Sequence, residues 1–159
     1  NVQSLADKFT ARKLMNQGRL LGLPSGGRLN MFFYDPKGKK KLPYYDTFPL
    51  VLPLESIKGG FMGMNFHYLP YMLRFKLLER MQKFSTGGFD RMTRLDANYN
   101  DVKKIGLVRP TIKKYLYNHV QSRFLRIDFD EAVLAAYLPV QQFKKASESK
   151  VWSDSRRMI

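Results

Sequence analysis

The residue types that do chemistry are few and scattered in this chain. Its 159 residues hold two histidines, His67 and His119, and no cysteine. Neither histidine stands beside a nucleophile in a motif. There is no GxxxxGK[ST] phosphate cradle, no GxSxG elbow and no HExxH pair. His119 falls on the apolar face of a candidate helix, where a satisfied core or boundary histidine is the better reading. The densest carboxylate group is Asp128, Asp130 and Glu131, in DFDE. Acid clusters bind Mg²⁺ for phosphoryl chemistry, but a nuclease also needs a further carboxylate and a lysine placed by the fold. An acidic turn that pairs with Arg123 and Arg126 is the simpler reading. The chain is therefore expected to be non-enzymatic, with no catalytic residue, metal or cofactor.

Charge is the stronger signal. Lys and Arg number 28 against 13 Asp and Glu, a net charge of +15. Such an excess repels itself unless it faces an anion, which nucleic acid, a membrane surface or acidic protein neighbours can supply. Three clusters carry it. Lys37, Lys39, Lys40 and Lys41 precede Tyr44 and Tyr45, a mixture of charge and stacking surface that suits nucleic acid. Arg109, Lys113, Lys114, Arg123 and Arg126 form the second. Lys144, Lys145, Lys150, Arg156 and Arg157 form the third. Three separated clusters suggest a surface that meets several neighbours rather than one groove.

Length and composition bound the architecture. A chain of 159 residues suits one domain with a terminal arm or two. No apolar run approaches the ~20 residues of a membrane span. Asp7, Lys8, Arg12 and Lys13 interrupt any signal-peptide core. Without cysteine there is neither a disulfide framework nor a thiolate metal site, as suits assembly in a reducing cytoplasm. The chain starts at Asn1 rather than methionine, so the native start is expected upstream.

Those clusters need elements to hold them. Residues 1–28 read as an arm: a short helix over Asn1–Gly18, capped by Ser4 with Leu5 and Phe9 on its face, then a glycine-rich tether. An α+β core follows over residues 29–143. Leu29–Tyr34, Phe48–Leu54 and Phe61–Tyr68 are β candidates joined by tight turns, which predicts a small, curved antiparallel sheet or barrel-like unit. Pro36 and Gly38 set the first turn. Pro49 and Pro53 lack a ladder donor, so the strand that holds them is expected at an edge, or bent or bulged. Leu69–Phe84 has the helical period, with Pro70 at its start. Pro110 predicts a second helix over Thr111–Phe124. Ala132–Val140 reads as a strand, although periodicity alone also allows a helix. Residues 144–159 read as a basic C-terminal arm with a short helix around Lys150–Arg157.

The string from Phe33 to Tyr71 carries a family resemblance. FYDPKGKKKLPYYDTFPLVLPLE and then GGFMGMNFHYLP resemble a family of small basic virion proteins of T4-like contractile-tailed bacteriophages. KKYLYNHVQSRFLRI and YLPVQQFKKASESKVWSDSR fit it too. The resemblance implies a virion component, either of the tail and baseplate hub or a protector of packaged DNA ends. It brings no catalytic residues. Together, charge and resemblance lead to an assembly protein that docks by its arms on tail, baseplate or neck subunits. The alternative is a DNA-binding protein that protects or guides the ends of the packaged double-stranded genome.

Overall fold

Residues 10–16 and 19–159 are described in the computed structural model of the protein. Among them, β1 (Leu20–Leu21), β2 (Leu29–Met31), β4 (Leu50–Ile57), β5 (Gly60–Asn65), β8 (Ile112–Leu116) and β9 (Phe124–Ile127) make one antiparallel sheet. Its order is β1-β9-β2-β4-β5-β8, so β1 and β8 are free edges and the sheet does not close. Two short ribbons accompany it. One pairs β3 (Tyr45–Asp46) with β10 (Phe143–Lys144), the other β6 (Ser85–Thr86) with β7 (Arg94–Leu95). The class is α+β, as expected, and the open sheet excludes the barrel-like form.

Strand alternation gives the sheet two faces. Leu29, Met31, Leu50, Leu52, Met64 and Leu125 face the main core, which helices cover. The other face carries an aromatic cluster around Phe32, whose ring centroid lies 4.7 Å from that of Phe124 and 5.3 Å from that of Tyr115. β4 holds Pro53 yet is internal, between β2 and β5. The missing donor is absorbed by a register shift between Pro53 and Glu55, so the bulge reading holds and the edge reading does not.

Between β5 and β8 runs the helical insert. α2 (Tyr71–Met81) buries Arg74, Leu77, Leu78 and Met81, a stripe at three- and four-residue spacing. Later in the insert comes α3 (Tyr99–Val102), opened by a capping box between Asn98 and Asp101. Before the sheet lies α1 (Ala11–Met15), capped by Thr10. Ser4, Leu5, Phe9 and Gly18, on which the helix over Asn1–Gly18 was argued, lie outside the described residues.

Two expected elements change type. No helix spans Thr111–Phe124. Pro110 sits in a 3-10 turn (Gly106–Thr111), and the chain then runs through β8, a turn at Tyr117–His119, and β9. Apolar residues at 112, 116, 120 and 124 mimic a helical face. The competing fact is the open edge of β5, which pairs residues 60–64 with residues 112–116. Gly60 makes the approach possible, since a Cβ there would stand 2.9 Å from the Tyr115 carbonyl carbon. Residues 132–137 are the reverse case: α4 (Ala132–Tyr137) is a helix and not a strand. Ala132, Ala135 and Ala136 form its buried stripe, small enough to lie close against α2, and Pro139 pushes Leu138 out of the helical region. α5 (Glu148–Met158) covers the region expected to be helical around Lys150–Arg157. It packs on the core through fully buried Val151, and Trp152 Nε1 donates to the His67 carbonyl at 2.9 Å.

Candidate nucleic-acid interface

The first lysine cluster is held by three ties. The Asp35 amide donates to the His119 carbonyl and His119 Nδ1 donates back to the Asp35 carbonyl, each at 3.0 Å. His119 is thus a clasp on the turn. Gly38 takes φ +69°, a left-handed value that lets the chain enter the 3-10 turn Lys39–Lys41. Lys145 braces the carbonyls of that turn and of the residue after it. Its Nζ donates to the carbonyls of Lys39 (2.5 Å), Lys40 (3.1 Å) and Leu42 (3.0 Å). Next to it, Lys144 pairs with Tyr45 across the β3–β10 ribbon. Lys145 and the turn lysines, 105 and 106 residues apart in sequence, therefore share one surface.

β8 brings part of the second cluster to the same place. Lys113 and Lys114 join Lys37, Tyr44, Tyr45 and Tyr68 around a recess of about 520 Å³. The Lys113 ammonium lies 3.9 Å from the centroid of the Tyr68 ring. Burial pulls its pKa down from 10.5 to about 8. It forms no ion pair among the described residues. Tyr68 is wedged in turn by Phe143, with ring centroids 5.2 Å apart, and by Tyr44 at 6.3 Å. Tyr44 Oη donates to Asp154 at 3.2 Å, and Asp154 also receives Lys150 at 3.1 Å and Arg157 at 3.3 Å. α5 is thereby tied to Tyr44, which lines the recess.

Lys37, Lys113 and Lys114 thus line the recess with Tyr44 and Tyr45, Lys39, Lys40, Lys41, Lys144 and Lys145 adjoin it through the turn and the β3–β10 ribbon, and Lys150 and Arg157 are held at Asp154 beside Tyr44. The expectation of three separate clusters changes accordingly. Arg109, Arg123 and Arg156 are exposed and do not line this recess. Arg126 is committed elsewhere. Its Nε lies 3.0 Å from Asp128, which also pairs with Arg19 and sits 3.7 Å from Arg28 Nε. The acidic turn therefore neutralises arginines, including the expected Arg126; Arg123 is not among its partners. Asp128 is buried inside three guanidiniums, surroundings that oppose a divalent cation. Another recess, about 630 Å³, is lined by Glu55, Asp96 and Asp101 against Arg94, so a polyanion is repelled there.

Tyr68 escaped the sequence reading. It lies 45 positions from Lys113, and only the strand conformation of residues 112–116 brings the two together. His67 is not on a strand face either. It is fully buried in a 3-10 turn (Phe66–Tyr68) against Asp46.

An open antiparallel sheet with a helical insert and a lysine- and tyrosine-lined recess defines a basic α+β protein. Residues 6–156 match the model of the family described as phage T4 terminal DNA protecting protein. The chain belongs to that family. Of the two kinds of phage virion protein that the resemblance implied, the match is to the protector of DNA ends. No curated protein and no solved structure matches the chain.

Proposed function

We propose that this protein binds the ends of linear double-stranded DNA in the phage particle and shields them by occupancy rather than catalysis. One observation carries the reading: lysines from residues 37–41, 113–114 and 144–145 converge around tyrosines on one face. Counterion release gives such a face affinity for any duplex, and the rings add stacking surface. The family description supports the choice of DNA ends as target. Assembly in the host cytoplasm is part of the same proposal.

The test is protection of a linear duplex from an exonuclease, with binding measured across a salt series. Log affinity is expected to fall linearly with log salt, and Lys114→Ala to lower the slope by about 1. Absence of both binding and protection at low salt overturns the proposal.

Docking on neighbouring tail, baseplate or neck subunits is a second reading, and a separate surface favours it. Met72, Val133 and Leu134 are 63%, 46% and 48% exposed on the packed pair α2 and α4. A photo-crosslinker at Leu134 in assembled particles supports this reading by joining another virion protein. Capture of none removes it.

A further inference from the structure

Binding along a duplex does not explain a preference for its ends, and the recess supplies a reason. A volume of about 520 Å³ lies in the range of roughly 300–1,000 Å³ that suits a small ligand. It admits one nucleotide and excludes a double helix. We propose that this recess is a subsite for a single unstacked nucleotide at a DNA terminus, with the base against Tyr45 and the phosphate at Lys113. The proposal rests on the reading of the protein as a DNA-end binder.

Two residues carry it. Tyr45 lines the recess half-buried, and its ring pairs with no other aromatic ring among the described residues. A tyrosine ring without an aromatic partner is a platform on which any base stacks. Lys113 is the anion's site. Its ammonium is drawn in over Tyr68 and has no carboxylate partner among the described residues. Burial disfavours its charge, which the Tyr68 face offsets in part. An arriving phosphate supplies the missing counter-charge. Lys37 and Lys114, which line the same recess, add to the pull.

The selectivity for ends follows from the nucleic acid. An internal nucleotide enters such a recess only after unpairing and unstacking on both sides, at a cost of a few kcal/mol that is smallest where the base is already unpaired. A frayed or overhanging terminus avoids most of that cost. An acidic protein segment offers charge to Lys113 but no planar face to Tyr45.

The experiment compares the full chain on two labelled duplexes of one sequence, one with a two-nucleotide overhang at each end and one closed by hairpins at both ends. Wild-type protein is expected to bind the overhang form about tenfold more tightly, the worth of one stacked base. Tyr45→Leu and Lys113→Met are each expected to remove most of that ratio, by weakening the overhang form more than the closed form. Lys113→Met is also expected to melt no lower than wild type, because methionine keeps the apolar stem over Tyr68 and removes the buried charge. Loss of the ratio with the fold intact supports the subsite. An unchanged ratio in both variants overturns the subsite and leaves DNA binding standing. Displacement of the overhang by an acidic peptide as readily as by a dinucleotide also overturns it. Absence of binding to either duplex removes the subsite together with the reading beneath it.

Discussion

His67 Nδ1 lies 2.8 Å from Asp46 Oδ2, and both side chains are withdrawn from water. The carboxylate is fully used: Oδ1 accepts from the amides of Phe48 and Gln142, and Oδ2 also accepts from Asn65 Nδ2, all at 3.0 Å. Residues from β3, the end of β5 and the approach to β10 meet at this one group. Burial lowers the His67 pKa, so the ring is neutral and donates from Nδ1. For Asp46, burial works upward, and the His67 contact and the hydrogen bonds outweigh it, holding the carboxyl below 3.8.

Both shifts make the fold acid-sensitive. With His67 lowered in the folded state, the unfolded chain takes up the extra proton first, so stability falls as pH drops below about 6.5. The stability contributed by Asp46 is present above about 3.9 and is lost as pH falls through its depressed folded value. Urea midpoints measured from pH 7.5 to 4 are expected to decline from about pH 6.5 downward. Asp46→Asn turns an acceptor into a donor facing Asn65 and His67, and is expected to cost about 2–3 kcal/mol at pH 7. A pH-independent midpoint over that range contradicts the assignment of a buried neutral imidazole.

Arg74 is the largest fully buried side chain, and it holds backbone rather than a carboxylate. Nε donates to the Leu69 carbonyl at 2.7 Å, Nη1 to Ala136 at 2.9 Å, and Nη2 to His67 at 3.4 Å. Its guanidinium lies 4.5 Å from the Tyr71 ring centroid and 5.6 Å from that of Trp152. Burial pulls its pKa down to about 10, still charged at pH 7. Arg74→Met removes the desolvation cost but orphans the buried carbonyls of Leu69 and Ala136, whereas that of His67 keeps Trp152; the two orphans weigh more at about 1–3 kcal/mol each. A net loss of about 3 kcal/mol in chemical denaturation is expected, with little recovery in Arg74→Lys, which lacks the planar fork. A methionine variant as stable as wild type would sink this account.

What the sequence made legible was local. Pro53 marked a bulge, Pro70 a helix start, and Gly38 a left-handed turn, because each acts through its own φ or its own missing donor. Elements decided by distant partners were hidden. Residues 112–116 became a strand because the edge of β5 was available, and residues 132–137 became a helix because three alanines fit against α2. The candidate site suffered most. Its lysines and tyrosines were visible by type, but their meeting depends on β8 lying beside β5 and on β10 pairing with β3. A helix at 111–124 would have carried Lys113 on a different element, so the contact with Tyr68 had no sequence signal. Arg126 was read both as a member of the second basic cluster and as a partner of the acidic turn, and the fold decides between the two, since Asp128 takes it.

Lys145 separates a positioning role from a phosphate contact. It stands at φ +73°, a left-handed backbone value, and its Nζ is spent on the carbonyls of Lys39, Lys40 and Leu42. A lysine so used holds the 39–41 turn in the shape that presents its neighbours. Lys145→Gly keeps the backbone conformation without strain and deletes the three bonds. The amides of Lys41 and Leu42, bonded to the Gly38 and Lys39 carbonyls at 2.9 and 3.3 Å, are then expected to exchange hydrogen faster by hydrogen-exchange mass spectrometry. DNA affinity should fall, while the salt slope stays within experimental error of wild type. Lys114→Ala, which removes an exposed ammonium from the recess rim, should lower the slope by about 1 with exchange at residues 41 and 42 unchanged. If Lys145→Gly lowers the slope as much as Lys114→Ala and leaves exchange alone, Lys145 contacts phosphate directly and its role as a brace for the turn is wrong.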